Sequence, residues 1–260
     1  MSLLRSVQER AARNGLNLFG LVRASRYDSC QPSELRSRSV QPDCGTIVVL
    51  GTGGRAFWSE FHEQQGYLPS GIDGDAADEI AAAGVQSVAE RLASEGYAVR
   101  AVDARSRGLG FAQLAEDAGF GIISPVSGML IHPKFGPWVR VRGALLLPGE
   151  PFGNIPDASI AETFKPCCTC RDRPCVTACP PMVHDEVRGA DRQKCADHRV
   201  GGGCGTGCSS RMACPIGQEH ADGSGPTLHA HTVGLRTLQR WFGLGWWRMV
   251  PKRLRSMRRS

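Results

Sequence analysis

No apolar run in this 260-residue chain approaches the 18 or so residues that a membrane-spanning helix needs, which excludes an integral helical membrane protein. Residues 1–15, MSLLRSVQERAARNG, are charged and lack the apolar core of a secretory signal. The expected compartment is therefore a reducing cytoplasm, where disulfides do not persist. The glycine-rich stretch Gly51 to Arg55 (GTGGR) has neither the Lys-Ser/Thr of a P-loop nor the spacing of a dinucleotide fingerprint. It can seat a phosphate or a cofactor's amide groups on backbone N–H, or be a plain tight turn. Acidic residues are missing from Trp241 to Ser260, which holds Arg248, Lys252, Arg253, Arg255, Arg258 and Arg259; the formal charge of +6 therefore sits in that segment, and the rest is neutral by subtraction. With Trp241, Phe242, Trp246, Trp247 and Met249 interleaved, residues 241–260 suit contact with RNA or with an anionic membrane interface, or a solvated end packed on the body. Gly243, Gly245 and Pro251 argue against one amphipathic helix there.

What the chain has in excess is cysteine in one place. Nine of its 11 cysteines lie between Cys167 and Cys214. They read C-C-T-C-x-x-x-x-C-x-x-x-C-P, then a lone Cys195, then C-x-x-x-C-x-x-x-x-x-C-P. Two runs that each close on Cys-Pro (Cys179-Pro180 and Cys214-Pro215) match the bacterial ferredoxin pattern, in which the last cysteine of one run ligates the other run's cluster. Two cubane clusters need eight thiolates. That pattern puts Cys167 or Cys168, Cys170, Cys175 and Cys214 on one [4Fe-4S] cluster and Cys179, Cys195, Cys204 and Cys208 on the other, with one thiol left over. Zinc is the alternative, because thiols in such pairs also build tetrahedral sites; zinc has no use for two Cys-Pro endings, which places iron–sulfur first. His184, His198 and Arg211 lie among these cysteines, as solvated loop residues or as hydrogen-bond donors to cluster sulfur that raise its potential. Cys30 and Cys44 stand outside any motif and read as ordinary thiols.

The preceding part reads as alternating helix and strand. Leu3, Leu4, Val7 and Ala11 recur at helical spacing, Gly15 closes that helix, and Leu16 to Val22 forms a buried strand. Thr46 to Leu50 is a second strand. Gly71 to Gly74 supply a turn and Asp75 a cap for an alanine-rich helix from Ala76 to Ser94, ended by Gly96. Tyr97 to Val102 returns as a strand, Phe111 to Asp117 is a short helix, and Trp138 to Leu147 is the last clear strand. The sheet is expected to be mixed or antiparallel. Pro148, Pro151, Gly153 and Pro156 mark a linker to the cysteine module.

Residues 103–147 carry a more specific likeness. Val102-Asp103 at a strand end, Ala118-Gly119-Phe120-Gly121 after a helix, and Pro133-Lys134-Phe135-Gly136-Pro137-Trp138 entering a strand resemble the cobalamin-binding domain shared by epoxyqueuosine reductases and CblC-type cobalamin-processing proteins. The phrase IHPKFGPWVRVRGALLLPG is nearer the CblC side; the cysteine module is similar to the reductase side alone. The first cysteine run departs from the reductases by the residues inserted at Arg171 to Pro174, and the second is looser. The reductases also continue into a helical-repeat domain that helps hold tRNA, whereas here residues 215–260 lie beyond Cys214.

The resemblance implies an α+β fold, with a nitroreductase-like cobalamin-binding domain over residues 1–155, a ferredoxin-like double [4Fe-4S] module over 156–225 and a basic aromatic tail over 226–260. It implies two cofactors, a pair of [4Fe-4S] clusters and cobalamin, with electrons arriving from an external flavodoxin- or ferredoxin-type donor and passing to cobalt. Asp103 takes the place of the reductases' general acid, or else caps a helix or pairs with Arg105 or Arg107. His132, Pro133, Phe135, Gly136 and Trp138 take the place of the corrinoid-contacting loop, or pack as core beneath it. Three activities are in view: an epoxyqueuosine reductase-like corrinoid-dependent reductase acting on a small molecule or a tRNA nucleoside; a protein that reductively removes the upper axial ligand of cobalamin itself; and a ferredoxin-type carrier that binds no corrinoid.

Overall fold

The computed structural model describes residues 2–58, 76–106, 108–155, 163–185 and 189–251. The GIDG turn with its Asp75 cap, Arg107, Pro156 and residues 252–260 lie outside them.

Four strands form one sheet: β1 (Leu18–Arg23), β2 (Cys44–Gly53), β3 (Arg100–Asp103) and β6 (Val139–Pro148), in the order β1-β2-β6-β3. Every pairing is antiparallel, which settles the mixed-or-antiparallel expectation. The central strands β2 and β6 read as near-continuous apolar runs because helices cover both of their faces. Val48 and Leu50 of β2 with Leu145 and Leu147 of β6 point to one side, against the helix Leu3–Arg13 (Val7, Ala11) and the helix Ala76–Ala93 (Val85, Val88, Leu92). Ile47, Val49, Ala144 and Leu146 point to the other, against the helix Ala24–Ser29 (Ala24, Tyr27) and the helix Phe111–Asp117 (Leu114, Ala115). Ile47 to Leu50 and Ala144 to Leu147 all have 0% exposure; each aliphatic side chain buried in this way contributes about 1.5–3 kcal/mol. The period-2 alternation of strand side chains thus makes a three-layer core.

Element ends follow local chemistry. Ser2 Oγ caps the first helix at the Arg5 N–H, and Gly15, at φ +70°, turns the chain out of it. The strand expected from Tyr97 begins three residues later. The Tyr97 N–H still serves the preceding helix, donating to the Leu92 carbonyl past Gly96 at φ +88°. The GTGGR amides are not free for a phosphate. Gly53 exchanges two hydrogen bonds with the Asn17 side chain, at 2.8 and 2.9 Å, and the Gly54 N–H donates to the Trp138 carbonyl at 2.8 Å. The stretch is the end of β2 and a tight turn.

A small hairpin, β4 (Ile122–Ile123) with β5 (Leu130–Ile131), leaves the sheet domain and packs Ile122 and Ile131 on Cys214. The cysteine module holds short helices, Pro166–Thr169, Pro174–Thr177, Arg192–Val200 and Ser209–Ala213, and the pair β7 (His184–Asp185) with β8 (Gly189–Ala190). Both four-residue helices open on proline, whose fixed φ suits a first helical turn. A longer helix, Ser224–Phe242, starts ahead of residue 226 and lies along Arg192–Val200. It ends at Gly243 in the left-handed region, φ +64°, and the chain continues into a 3-10 turn, Gly245–Met249, so the aromatic segment is not one continuous helix.

Candidate metal centre

Four thiols, Cys167, Cys170, Cys175 and Cys214, line a cavity of about 250 Å³ walled by the β4–β5 hairpin (Ser124, Val126, Met129, Ile131) and by Ile216. Cys167 Sγ reaches Ser124 Oγ at 3.3 Å, whereas Cys168 is exposed and lines neither this cavity nor its neighbour. Burial, then the nearby Cys214, Cys167 and Cys170, pushes the Cys175 thiol up; burial likewise raises Cys214.

Cys179, Cys195, Cys204 and Cys208 line a second, larger cavity of about 700 Å³. Burial and then Cys208 push the Cys195 thiol up. Ser124, Ser127 and Met129 line both cavities, so the two thiol quartets sit on either side of one wall. A second link runs through Ser210, whose hydroxyl donates to the Cys175 carbonyl and meets His184 Nε2 at 2.6 Å.

Among the described residues no three His, Cys, Asp or Glu side chains converge closely enough to hold a single metal ion. The larger cavity is also lined by Trp138, His184, His198, Arg211 and Asp222, each with a buried nitrogen or oxygen that has no hydrogen-bond partner. Trp138 Nε1 and Arg211 Nε are donors that require an acceptor, and cluster sulfur is one.

The loop expected to touch a corrinoid is largely committed to protein. His132 and Gly136 pair through two backbone hydrogen bonds, and His132 Nδ1 accepts the N–H of Lys134 at 2.9 Å and of Phe135 at 3.1 Å. Its imidazole is therefore neutral, with the proton on Nε2. Burial, then Lys134 and His220, pushes its pKa down to about 4. Phe135 lies over Gly53 and Gly54 and against the His220 ring, at 4.9 Å. Gly136, at φ +55°, is pressed so closely on the module that a Cβ would collide with the Ile216 carbonyl oxygen. Trp138 is 2% exposed, and Pro133 is exposed. The loop thus docks the sheet domain onto the turn after Cys214-Pro215, with Gly136 buried and Phe135 partly exposed.

Asp103 ends β3 opposite Gly143. Its carboxylate takes the Arg105 backbone N–H at 2.7 Å and a fork from the Arg105 guanidinium, which also reaches Glu79 at 2.7 Å. Beside it on β6, buried Arg142 donates to Thr52 Oγ1 and Asp78 and stacks over Phe57 at 4.3 Å. Asp103, Arg105, Glu79 and Asp78 keep part of each side chain in solvent, between 25% and 42% exposed. Arg142, Asp78 and Glu79 carried no motif, and neither did Ser124, Arg140, Arg199, Asp222 or His231 around the thiols. A buried arginine in an apolar strand, Arg142 between Val141 and Gly143, was the one legible hint.

These features define a class of fold: an antiparallel α+β sheet domain, helices on both faces, with a cysteine-rich module docked at one end. No protein-family model and no curated protein matches the chain. Solved structures do. Epoxyqueuosine reductase from Bacillus subtilis, with a catalytic aspartate loop swung out of its active site, aligns with a TM-score of 0.57 at 16% identity, over 87% of this chain and 68% of that one. An epoxyqueuosine reductase with an epoxyqueuosine-modified tRNA-Tyr stem loop gives 0.59 at 15% identity, over 87% and 68%. A catabolic reductive dehalogenase with 3-bromo-4-hydroxybenzoic acid gives 0.54 at 16% identity, over 95% of this chain and 37% of that one. At such identities the likeness is one of fold.

Proposed function

We propose that the chain is an iron–sulfur oxidoreductase in which two [4Fe-4S] clusters, held by Cys167, Cys170, Cys175 and Cys214 and by Cys179, Cys195, Cys204 and Cys208, supply single electrons to a cobalamin bound on the sheet domain. It acts on this reading as an epoxyqueuosine reductase-like, corrinoid-dependent reductase. The observation that carries the reading is the pair of thiol quartets around adjoining cavities, on a fold like that of epoxyqueuosine reductases and of a reductive dehalogenase studied for B12-dependent dehalogenation. Cobalamin, when bound, supplies a reducible cobalt that becomes strongly nucleophilic.

The chain's own residues have definable tasks. The quartets hold and bury the clusters, and Ser124 with the Cys175–Ser210–His184 link fixes the wall between them. The partly exposed Asp103, Arg105 and Glu79 would bind amide groups at the cofactor's edge, Asp103 being the candidate to deliver a proton once Arg105 is drawn away. His132 and Gly136 would orient the domains, with Pro133 and the His132 Nε2–H left for cofactor contact. A low-potential donor of flavodoxin or ferredoxin type would refill the clusters. The substrate would be a small electrophile or a modified nucleoside of tRNA. The Trp246–Trp247 pair, exposed Arg248 and the basic residues beyond would contact RNA or an anionic membrane.

Titration of the reduced protein with Co(II) cobalamin tests this. A change in the cobalt spectrum with reduction to Co(I) is expected; no change would leave a ferredoxin-type carrier. Parallel incubation with epoxyqueuosine-containing tRNA and with alkylcobalamin separates a reductase from a protein that strips cobalamin of its upper ligand.

A further inference from the structure

The two thiol sites are electrostatically unequal. The cavity of the first quartet is lined, apart from its thiols, mainly by Val126, Met129, Ile131, Pro166, Pro215 and Ile216, with one arginine, partly exposed Arg173, among its lining residues. Three arginines line the second cavity besides rim Arg192: Arg140 from β6, and Arg199 and Arg211 from the module. Arg140 is matched by Asp222 at 2.9 Å, and the exposed Asp191 and Arg192 at the rim offset one another.

Among the described residues no ion pair joins Arg199 or Arg211 to a carboxylate, although Asp222 lies in electrostatic reach of Arg211. Arg199 donates from Nε to His231 Nε2 at 3.2 Å and from its terminal nitrogen to the His231 carbonyl, both neutral acceptors. Burial, then Arg199 and Arg211, holds the His231 pKa down at about 4, so this histidine adds no charge. Arg211 has a buried, unpartnered Nε, and beside it Trp138 Nε1 and His198 Nε2 are buried without partners. Arg140, Arg199 and Arg211 against Asp222 therefore leave two guanidinium charges in excess among the described residues around the second quartet. Arginine remains protonated at any ordinary pH. An oxidised [4Fe-4S] core with four thiolates carries a charge of about −2, and adding one electron makes it about −3. Both the positive charges and the N–H donors favour the more negative state.

We infer that Arg199 and Arg211 set the cluster of Cys179, Cys195, Cys204 and Cys208 at the higher reduction potential, so that a single electron taken from a one-electron donor resides there, while the apolar-walled cluster of Cys167, Cys170, Cys175 and Cys214 is the low-potential partner. This rests on the two-cluster reading above. Arg211 is a positioning residue for charge, acting through the cluster.

The test is a potentiometric titration of the holoprotein, followed by electron paramagnetic resonance, with iron counted in each sample. Wild type should show two one-electron waves, and a Cys214→Ser variant that has lost the first-site cluster should retain the upper one. Arg211→Gln should lower the upper wave on the order of tenfold in its equilibrium constant, about 59 mV for one electron, and leave the lower wave in place. Arg211→Lys should recover most of that shift. If Arg211→Gln assembles poorly, Arg199→Gln should act in the same direction. Eight irons with coincident waves, or a shift in the lower wave, in both waves equally or in neither, would overturn the inference. Four irons or fewer in the wild type would instead overturn the two-cluster reading.

Discussion

The sheet domain and the cysteine module are held together by different means. In the first, β2 and β6 place Ile47 to Leu50 and Ala144 to Leu147 wholly out of solvent between two helical layers. In the second, the buried apolar side chains among those described from Phe164 to Val250 are Cys179, Val183, Ala196, Cys214 and Leu244, and two of these five are thiols. Helices of four and five residues cannot stand alone either, because helix nucleation is costly. On the two-cluster reading, metal–thiolate bonds would supply the cross-links that such short helices need. One half is an ordinary hydrophobic core; on the two-cluster reading the other is organised by its ligands.

The most direct way to break that contrast is to remove the iron. Anaerobic chelation should make the module the first target of limited proteolysis, with cuts among residues 163–251, while the sheet domain persists as a protected fragment. Uniform digestion of both halves would mean that they share one core. Leu145→Ala should do the converse, costing about 2–5 kcal/mol in thermal unfolding and leaving the iron content per folded chain unchanged. The joint between the halves is Gly136 against Ile216, where a Cβ would meet a carbonyl oxygen; Gly136→Ala should cost about 3 kcal/mol and split unfolding into two transitions.

A smaller effect concerns pH. His132 is pushed down to about 4 in the folded protein from an ordinary 6.5, so the unfolded chain binds more protons between those values. Its contribution to stability is present above pH 6.5 and is lost as pH falls toward 4. His132→Asn should flatten the decline of Tm across that window, measured by calorimetry. At the small end, Cys168→Ser should leave iron content and spectrum unchanged, whereas Cys167→Ser should not.

How much could be read from the sequence depends on how local each signal is. The four main strands and the helix Phe111–Asp117 rest on periodicity within a short stretch, and these were readable. The choice between Cys167 and Cys168 was not, because both have workable spacing and Ser124, which meets Cys167, lies on a distant hairpin. The His132 to Trp138 loop carried a recognisable motif, but its docking onto Ile216 and Gly217 is a tertiary contact that no local pattern encodes. The same holds for Asp103, whose pairing with Arg105 was one of the expected alternatives, while its link through Arg105 to Glu79 was not foreseen. Charges facing the second quartet come from four separate segments, at Arg140, Arg199, Arg211 and Asp222, and only the fold assembles them.

The contrast between a packed half and a ligand-organised half depends on what the two quartets hold. Iron and acid-labile sulfide should be counted in anaerobically purified protein, alongside zinc. About eight irons and eight sulfides per chain, falling to about four of each in Cys214→Ser, is the predicted result. A colourless protein carrying two zinc ions and no sulfide would contradict it.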